Sequence, residues 1–197
     1  MAFYLIDTLG DLDDLDFCIL DQAPEGIGVK YSRLAKGRAI GDDYPADAEI
    51  HMSAEREGIK LGGLVGSTKS FLIVHHDVME VIRAACEGVE VEYLPLRIIN
   101  HHGRVHSDEY FIVNPVGTWD CLDEAASGVV YFEDTDRVLS IERMVVDPKA
   151  ADSAPALFRL KQAPSSYVVK QELADRLREG AFDNVLLTEM EQVPSAG

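Results

Sequence analysis

Between Lys69 and Pro95 the sequence spells out one supersecondary unit, and any fold for the chain has to accommodate it. Phe71-Leu72-Ile73-Val74 is a compact apolar run of the kind that fills a buried strand. Asp77 follows as a candidate helix cap with Glu80 three residues on, and Val78, Ile82 and Ala85 recur at the spacing that lines one helical face. Gly88 ends that helix. Val89-Glu90-Val91-Glu92-Tyr93-Leu94 then alternates with period two, as a half-buried strand does, and Pro95 closes it or sets it at an edge. The pattern returns near the C-terminus. Tyr167-Val168-Val169 precedes a helix over 172–179 with Leu173 and Leu177 at i, i+4; Gly180 stops it, and Asn184-Val185-Leu186-Leu187 reads as the next strand. Two strand-helix-strand units, at about 70–96 and 166–190, predict a sheet-rich α+β fold.

Further strand character lies between the units, in Tyr110-Phe111-Ile112-Val113, Val129-Val130-Tyr131-Phe132 and Val138-Leu139-Ser140-Ile141, with loops at Asp147-Pro148 and Ala154-Pro155. The N-terminal third reads differently. Phe3-Tyr4-Leu5-Ile6 is a short strand that runs into Gly10-Asp11-Leu12-Asp13-Asp14-Leu15-Asp16, and from Asp7 to Glu25 there are seven acids and no base. Residues 26–63 are rich in Gly, Pro and charge, which predicts turns and short edge strands, with Gly62, Gly63 and Gly66 as the turn into the better-defined region. A chain of 197 residues fits a single domain, which the composition divides into two packed lobes. These are an acidic, loop-rich strand and loop region at 1–63 and an α+β core at 64–192, followed by a tail at 193–197.

The charge balance bounds the partners. Thirty-five acids against eighteen bases give a formal net charge of −17. That field repels phosphate backbones and anionic membranes and draws basic proteins in. Neither nucleic acid nor membrane is expected as a partner, while a homo-oligomer stays open. No run approaches the roughly 20 apolar residues that span a bilayer, and the N-terminus lacks the basic segment of a signal peptide, so the expected location is the cytoplasm. Cys18, Cys86 and Cys121 are odd in number, far apart and outside any C-x-x-C pair, which predicts reduced, buried thiols.

Motifs for chemistry are tested and set aside. The D-x-D-D-x-D run lacks the Gly at position six and the Glu at position twelve of a calcium loop. The Gly-rich stretch near Lys69 lacks the G-K-[ST] of a phosphate-binding loop. His75-His76 and His101-His102 are adjacent pairs whose side chains diverge on a strand, so neither doublet gives a zinc site; Gly103 places His102 and His106 around a hairpin loop. No nucleophile elbow or protease cysteine signature is present. No metal or cofactor is expected.

Several of these segments, taken in order, resemble the bacterial immunity proteins of the immunity protein eleven family, which is tied to polymorphic toxin systems. They are Lys69-Ser70-Phe71-Leu72-Ile73-Val74 before a helix, Glu92-Tyr93-Leu94-Pro95-Leu96 after it, Tyr110-Phe111-Ile112-Val113-Asn114, Leu122-Asp123 with Ser127, Leu157-Phe158-Arg159-Leu160, and Val169 to Glu172-Leu173. The resemblance covers about 60–190 and leaves the acidic N-terminal third outside; His75 stands where the family pattern tends to place a Ser. It implies a non-catalytic protein that binds and neutralises a cognate toxin, a basic nuclease being one such target. On that reading Asp11, Asp13, Asp14 and Asp16, with Asp42 and Asp43, form the contact surface, and Trp119 is an aromatic anchor if exposed. The alternative is a small hydrolase that uses carboxylates and a histidine from the 101–106 loop.

Overall fold

A computed structural model describes residues 1–194. In chain order its elements are β1 (Phe3–Ile6), β2 (Ile19–Leu20), α1 (Tyr31–Leu34), β3 (Glu49–His51), β4 (Leu64–Ser67), β5 (Leu72–His75), α2 (His76–Ala85), β6 (Val91–Ile99), β7 (Val105–Pro115), α3 (Glu124–Ser127), β8 (Val130–Tyr131), β9 (Val138–Ser140), β10 (Val145–Val146), β11 (Leu157–Arg159), β12 (Tyr167–Lys170), α4 (Gln171–Glu179), β13 (Leu187–Glu189) and β14 (Glu191–Gln192), with single 3-10 turns at Gly28–Lys30 and Gly41–Asp43. The fold is sheet-rich α+β, as the patterning predicts.

Two sheets organise the chain. One has six strands in the order β2-β4-β5-β7-β6-β3, the other four in the order β11-β12-β1-β13. Both strand-helix-strand units are present, and they share a geometry that the sequence does not disclose. In each unit the two strands are parallel but not neighbours. β7 pairs antiparallel with both β5 and β6, and β1 pairs antiparallel with both β12 and β13. Each unit is therefore split by a strand from elsewhere in the chain.

The period-two alternation of these strands builds three cores. Leu72 and Val74 of β5, Tyr4 and Ile6 of β1, and Tyr167 and Val169 of β12 join Val78 and Ile82 of α2 and Leu173 and Leu177 of α4, so the inner faces of both sheets and both helices share one core. The alternate residues face outward. Ile73, Leu96, Ile98 and Ile112 pack against Leu34, Ile40 and Ile50 from the N-terminal third. Phe3, Phe158 and Val168 pack against Cys121, Val146 and Ala151. Residues 1–63 supply β1, β2 and β3 to the two sheets, with β2 and β3 parallel to β4 and β6.

Several local expectations are corrected. Gly62, Gly63 and Gly66 do not make one turn, because Leu64–Ser67 is a buried strand. Gly66 lies within it, where a Cβ would come 2.6 Å from the Leu9 carbonyl oxygen, so the glycine serves close backbone approach. Asp77 does not cap α2. The cap is His75, whose Nδ1 accepts from the Asp77 N–H at 3.3 Å, the service a Ser hydroxyl gives at that position. Pro95 neither ends nor edges β6, which runs on to Ile99. Its carbonyl accepts from the Tyr44 hydroxyl at 2.9 Å, away from β7, so the missing N–H interrupts no ladder bond. Val193, assigned to a tail, donates to the Val146 carbonyl at 3.0 Å; residues 195–197 lie outside the described residues.

One buried cation ties these layers together. Arg159, at the end of β11, is fully buried. It donates through Nε to the Pro115 carbonyl at 3.3 Å and through Nη1 to the Pro164 carbonyl at 2.6 Å. Nη2 reaches the Leu34 carbonyl at 2.8 Å, Asn114 Oδ1 at 3.1 Å and the Tyr167 hydroxyl at 2.6 Å. Asn114 in turn donates to Glu92 Oε2 at 2.8 Å, which places the nearest countercharge one residue away. Burial pulls the guanidinium pKa down from its ordinary value, and the adjoining Tyr167 opposes that shift. Arg159→Met takes the guanidinium donors away from the Pro115, Pro164 and Leu34 carbonyls, Asn114 Oδ1 and the Tyr167 hydroxyl at once, and is expected to lower stability by about 3 kcal/mol, read as a shifted urea midpoint at unchanged slope.

Candidate functional site

The acidic turn after β1 is built by the acids themselves. Asp7 Oδ1 accepts from the Leu9 N–H at 2.8 Å, Asp11 Oδ1 from the Asp13 N–H at 2.9 Å and Asp14 Oδ1 from the Asp16 N–H at 3.1 Å, three successive Asx turns. Asn184 anchors the turn to the sheet: its Oδ1 accepts from the Asp11 N–H at 2.6 Å and its Nδ2 donates to the Leu64 carbonyl at 2.9 Å. Gly10, at φ +71°, leaves the room, since a Cβ there would lie 2.4 Å from that amide. On the other side Lys60 Nζ donates to Asp14 Oδ2 at 3.2 Å and sits 3.9 Å from the centre of the Phe17 ring. Its hydrogen bond, aided by the Asp16 N–H, holds the Asp14 carboxyl below the usual range.

This folding turns apolar side chains outward. Leu12 is 52% exposed and Leu15 83%, and across from them Ile59 is 55% exposed. They line a groove of about 890 Å³ between the acidic turn and residues 55–60, whose carboxylates are Asp14, Asp16, Glu55 and Glu57. The two walls are joined by backbone bonds from Lys60 N to the Asp16 carbonyl at 2.8 Å and from Cys18 N to the Lys60 carbonyl at 2.9 Å.

The other residues singled out by the sequence stand apart from this turn. Asp43 lies on the 3-10 turn after Ile40 and binds Lys30 at 2.7 Å and Arg33 at 2.8 Å; hydrogen bonds from these two cations lower its pKa. Asp42 beside it is exposed. Trp119 is half-buried against the third core, in a bridge with Leu160. The structure gathers Asp11, Asp13, Asp14 and Asp16 into one turn and brings neither the 42–43 pair nor Trp119 to it.

The histidine loop is a hairpin turn, with Asn100 Oδ1 accepting from the His102 and Arg104 N–H groups at 2.9 and 3.2 Å. His101, His102 and His106 line a second pocket of about 580 Å³ that shares Arg56, Glu57 and Ile59 with the groove. Among the described residues no carboxylate oxygen comes within 4.0 Å of these three imidazoles. Sequence reasoning missed a different group. Glu25, Glu49 and His51 offer ligand atoms within 4.8 Å of one another. Glu49 and His51 share a strand face at i, i+2, a signal that was there to find; Glu25 is delivered by its own N–H on the Glu49 carbonyl at 2.8 Å. Arg97 already stands 2.9 Å from Glu49, which supplies a countercharge from within the protein, and His51 Nε2 lies 3.2 Å from Glu25 Oε1.

Comparison with known proteins adds one match. The model of the Immunity protein family (Imm11) matches residues 25–192. The expected match began near residue 60, and the longer span has a structural reason: Leu34, Ile40 and Ile50 cover the outer face of the six-stranded sheet, and β3 extends its edge. No curated protein matches the chain. No helix among the described residues is long and apolar enough to cross a membrane.

Buried ionisable groups make the stability of the fold depend on pH. Cys18, Cys86 and Cys121 are buried and unpaired. Burial pushes the Cys18 thiol up to about 12 and the Cys121 thiol up to about 11, raises Cys86, and carries Tyr93 and Tyr110 up to about 12. Each group is held protonated in the folded chain while its unfolded counterpart ionises, the thiols from about pH 9. Stability is therefore expected to fall as pH rises from 9 towards 12, read by thermal melts. On the acid side, Asp14 and Asp43 contribute stability that is present above the ordinary carboxylate value of 3.8 and is lost as pH falls through their lowered values. At pH 8 the three thiols are expected to resist Ellman's reagent until the protein is unfolded.

Proposed function

The chain belongs to the Immunity protein family (Imm11), and from that premise we propose that it protects the cell that makes it by binding and neutralising a cognate protein toxin in the cytoplasm. It acts by occupying the toxin rather than by chemistry of its own. The observation that carries the reading, beyond the family, is the ordered acidic turn on a chain of net charge −17. A toxin that handles phosphates, as a nuclease does, has to present a basic cleft, and complementary potentials raise the encounter rate with such a cleft. The backbone of the turn and the carboxylates of Asp11 and Asp14 are held by the fold before any partner arrives, so binding does not have to order them. Asp42, Asp43 and Trp119 belong to the same proposal in a lesser role, Asp43 because it is already neutralised by two cations.

Asn keeps the Oδ1 with which Asp11 shapes its Asx turn, and Asp13 and Asp16 join the turns only through their backbone N–H, so the change removes charge and leaves the turn bonds. The Asp11→Asn, Asp13→Asn, Asp16→Asn triple variant is therefore expected to keep its melting temperature. Its association rate with the toxin should fall about tenfold at low salt, with the dissociation rate little changed. Stopped-flow mixing with the purified toxin checks this. Equal rates for wild type and variant would remove the steering role, and a wild type that neither binds nor neutralises the toxin would remove the immunity reading.

A further inference from the structure

We infer that the groove between the acidic turn and residues 55–60 seats an extended segment of the toxin in which basic and apolar residues alternate. This rests on the immunity reading and goes beyond it, since charge alone brings a partner near without saying what it puts where. Three observations carry the inference. The first is composition: three well-exposed aliphatic side chains, Leu12, Leu15 and Ile59, lie along a channel edged by four carboxylates. Apolar side chains clustered on the surface mark a contact, and the carboxylates around them select a cationic partner.

The second observation is continuity. The groove and the histidine pocket share Arg56, Glu57 and Ile59 in their linings, so two hollows adjoin at this segment, next to the hairpin turn of β6 and β7. Two adjoining hollows fit an extended chain better than a single side chain. Of the two cations in the groove, Lys60 is engaged by Asp14 and by the Phe17 ring, which leaves Arg56 as the only base facing the occupant without such a partner among the described residues.

The third observation is where the walls come from. Residues 55–60 lie inside the stretch that the family model matches and the acidic turn lies outside it. The groove is thus assembled from one wall inside the matched stretch and one wall outside it. Gly58 lets them close: a Cβ there would stand 2.4 Å from the Phe17 carbonyl oxygen and 2.7 Å from that of Leu15. A protein that must tell its own toxin from others can do so through contacts outside the family stretch, because specificity is a difference of affinities.

The test uses the full chain and two probes. A fluorescein-labelled peptide of alternating lysine and leucine is titrated by fluorescence polarisation, with a glutamate-leucine peptide as control, and the same proteins are scored for rescue of cells that express the toxin. Leu15→Ser with Ile59→Ser removes the apolar floor and keeps every charge. Phe132→Ser with Leu139→Ser makes the equivalent change at the exposed apolar residues of the β8–β9 hairpin. Thermal melts confirm that both variants fold. The expected result is that the lysine-leucine peptide binds wild type and the hairpin variant alike and the groove variant at least tenfold more weakly, that the glutamate-leucine peptide does not bind, and that rescue fails only in the groove variant. Equal peptide binding by wild type and groove variant, or no binding to wild type, overturns the groove. Full rescue by the groove variant overturns it and leaves the immunity reading standing. Failure of the wild type to rescue overturns the immunity reading and the groove with it.

Discussion

A guanidinium buried without a carboxylate beside it is expensive, and this fold is arranged around one. Arg159 is held by three backbone carbonyls, one amide oxygen and one phenol, drawn from α1, from β7, from the loop before β12 and from β12 itself. Taking such a cation out of water costs several kcal/mol unless every donor finds an acceptor. The acceptors lie as far as 125 residues from Arg159 in the sequence, so the cost is offset only when both sheets and the N-terminal segment are in place together. Tyr167 extends the coupling: its hydroxyl donates to the Ser70 carbonyl at 3.1 Å and accepts from the Leu72 N–H at 3.2 Å, which fixes β12 against the start of β5. Gly37 shows the same constraint from outside, for a Cβ there would lie 2.7 Å from Arg159 Cδ.

The groove depends on this arrangement at one remove. Its acidic wall hangs from β1, which lies between β12 and β13, and from Asn184, which spans Asp11 and the Leu64 carbonyl. Its other wall follows β3, whose partner β6 is linked through Glu92 and Asn114 to Arg159. A partner that meets the groove therefore meets two segments already fixed to the same framework, and little of its binding free energy goes to ordering them.

How much of this is legible in the sequence follows from the range of each interaction. The strands and helices of the two units are set by periodicity within about ten residues, and they stand where the pattern puts them to within a few positions. What splits them is not local. Nothing between Leu72 and Ile99 says that β7 will lie between β5 and β6, or anywhere near Tyr167 that a strand from the N-terminus will pair with it. Leu157-Phe158-Arg159-Leu160 carries a visible anomaly, a charge inside an apolar run, but its five acceptors are distant in sequence. At the candidate site the Asx turns are legible because Asp side chains bond two residues ahead. The outward exposure of Leu12 and Leu15 is not legible, because apolar residues in a strand-helix protein are ordinarily buried. Asp42, Asp43 and Trp119 carried the right chemistry, and only tertiary placement could show that two cations hold Asp43 and that Trp119 packs against a core.

The two kinds of side chain on the acidic turn divide the physical work between them. Carboxylates at the rim of an interface act over a Debye length of about 8 Å at physiological salt, so they chiefly set how fast a basic partner arrives and how salt slows it. Aliphatic side chains act only on contact, at about 25 cal/mol for each Å² removed from water, and so chiefly set how long the partner stays. The same six-residue turn, from Asp11 to Asp16, alternates the two, and its Asx bonds make the alternation geometric: each acid whose oxygen is spent on a backbone N–H turns the chain, and the turn throws the intervening leucine outward. Charge and apolar contact on this face are thus one structural device, and removing the Asp side-chain oxygens that shape it would disperse the leucines as surely as replacing them.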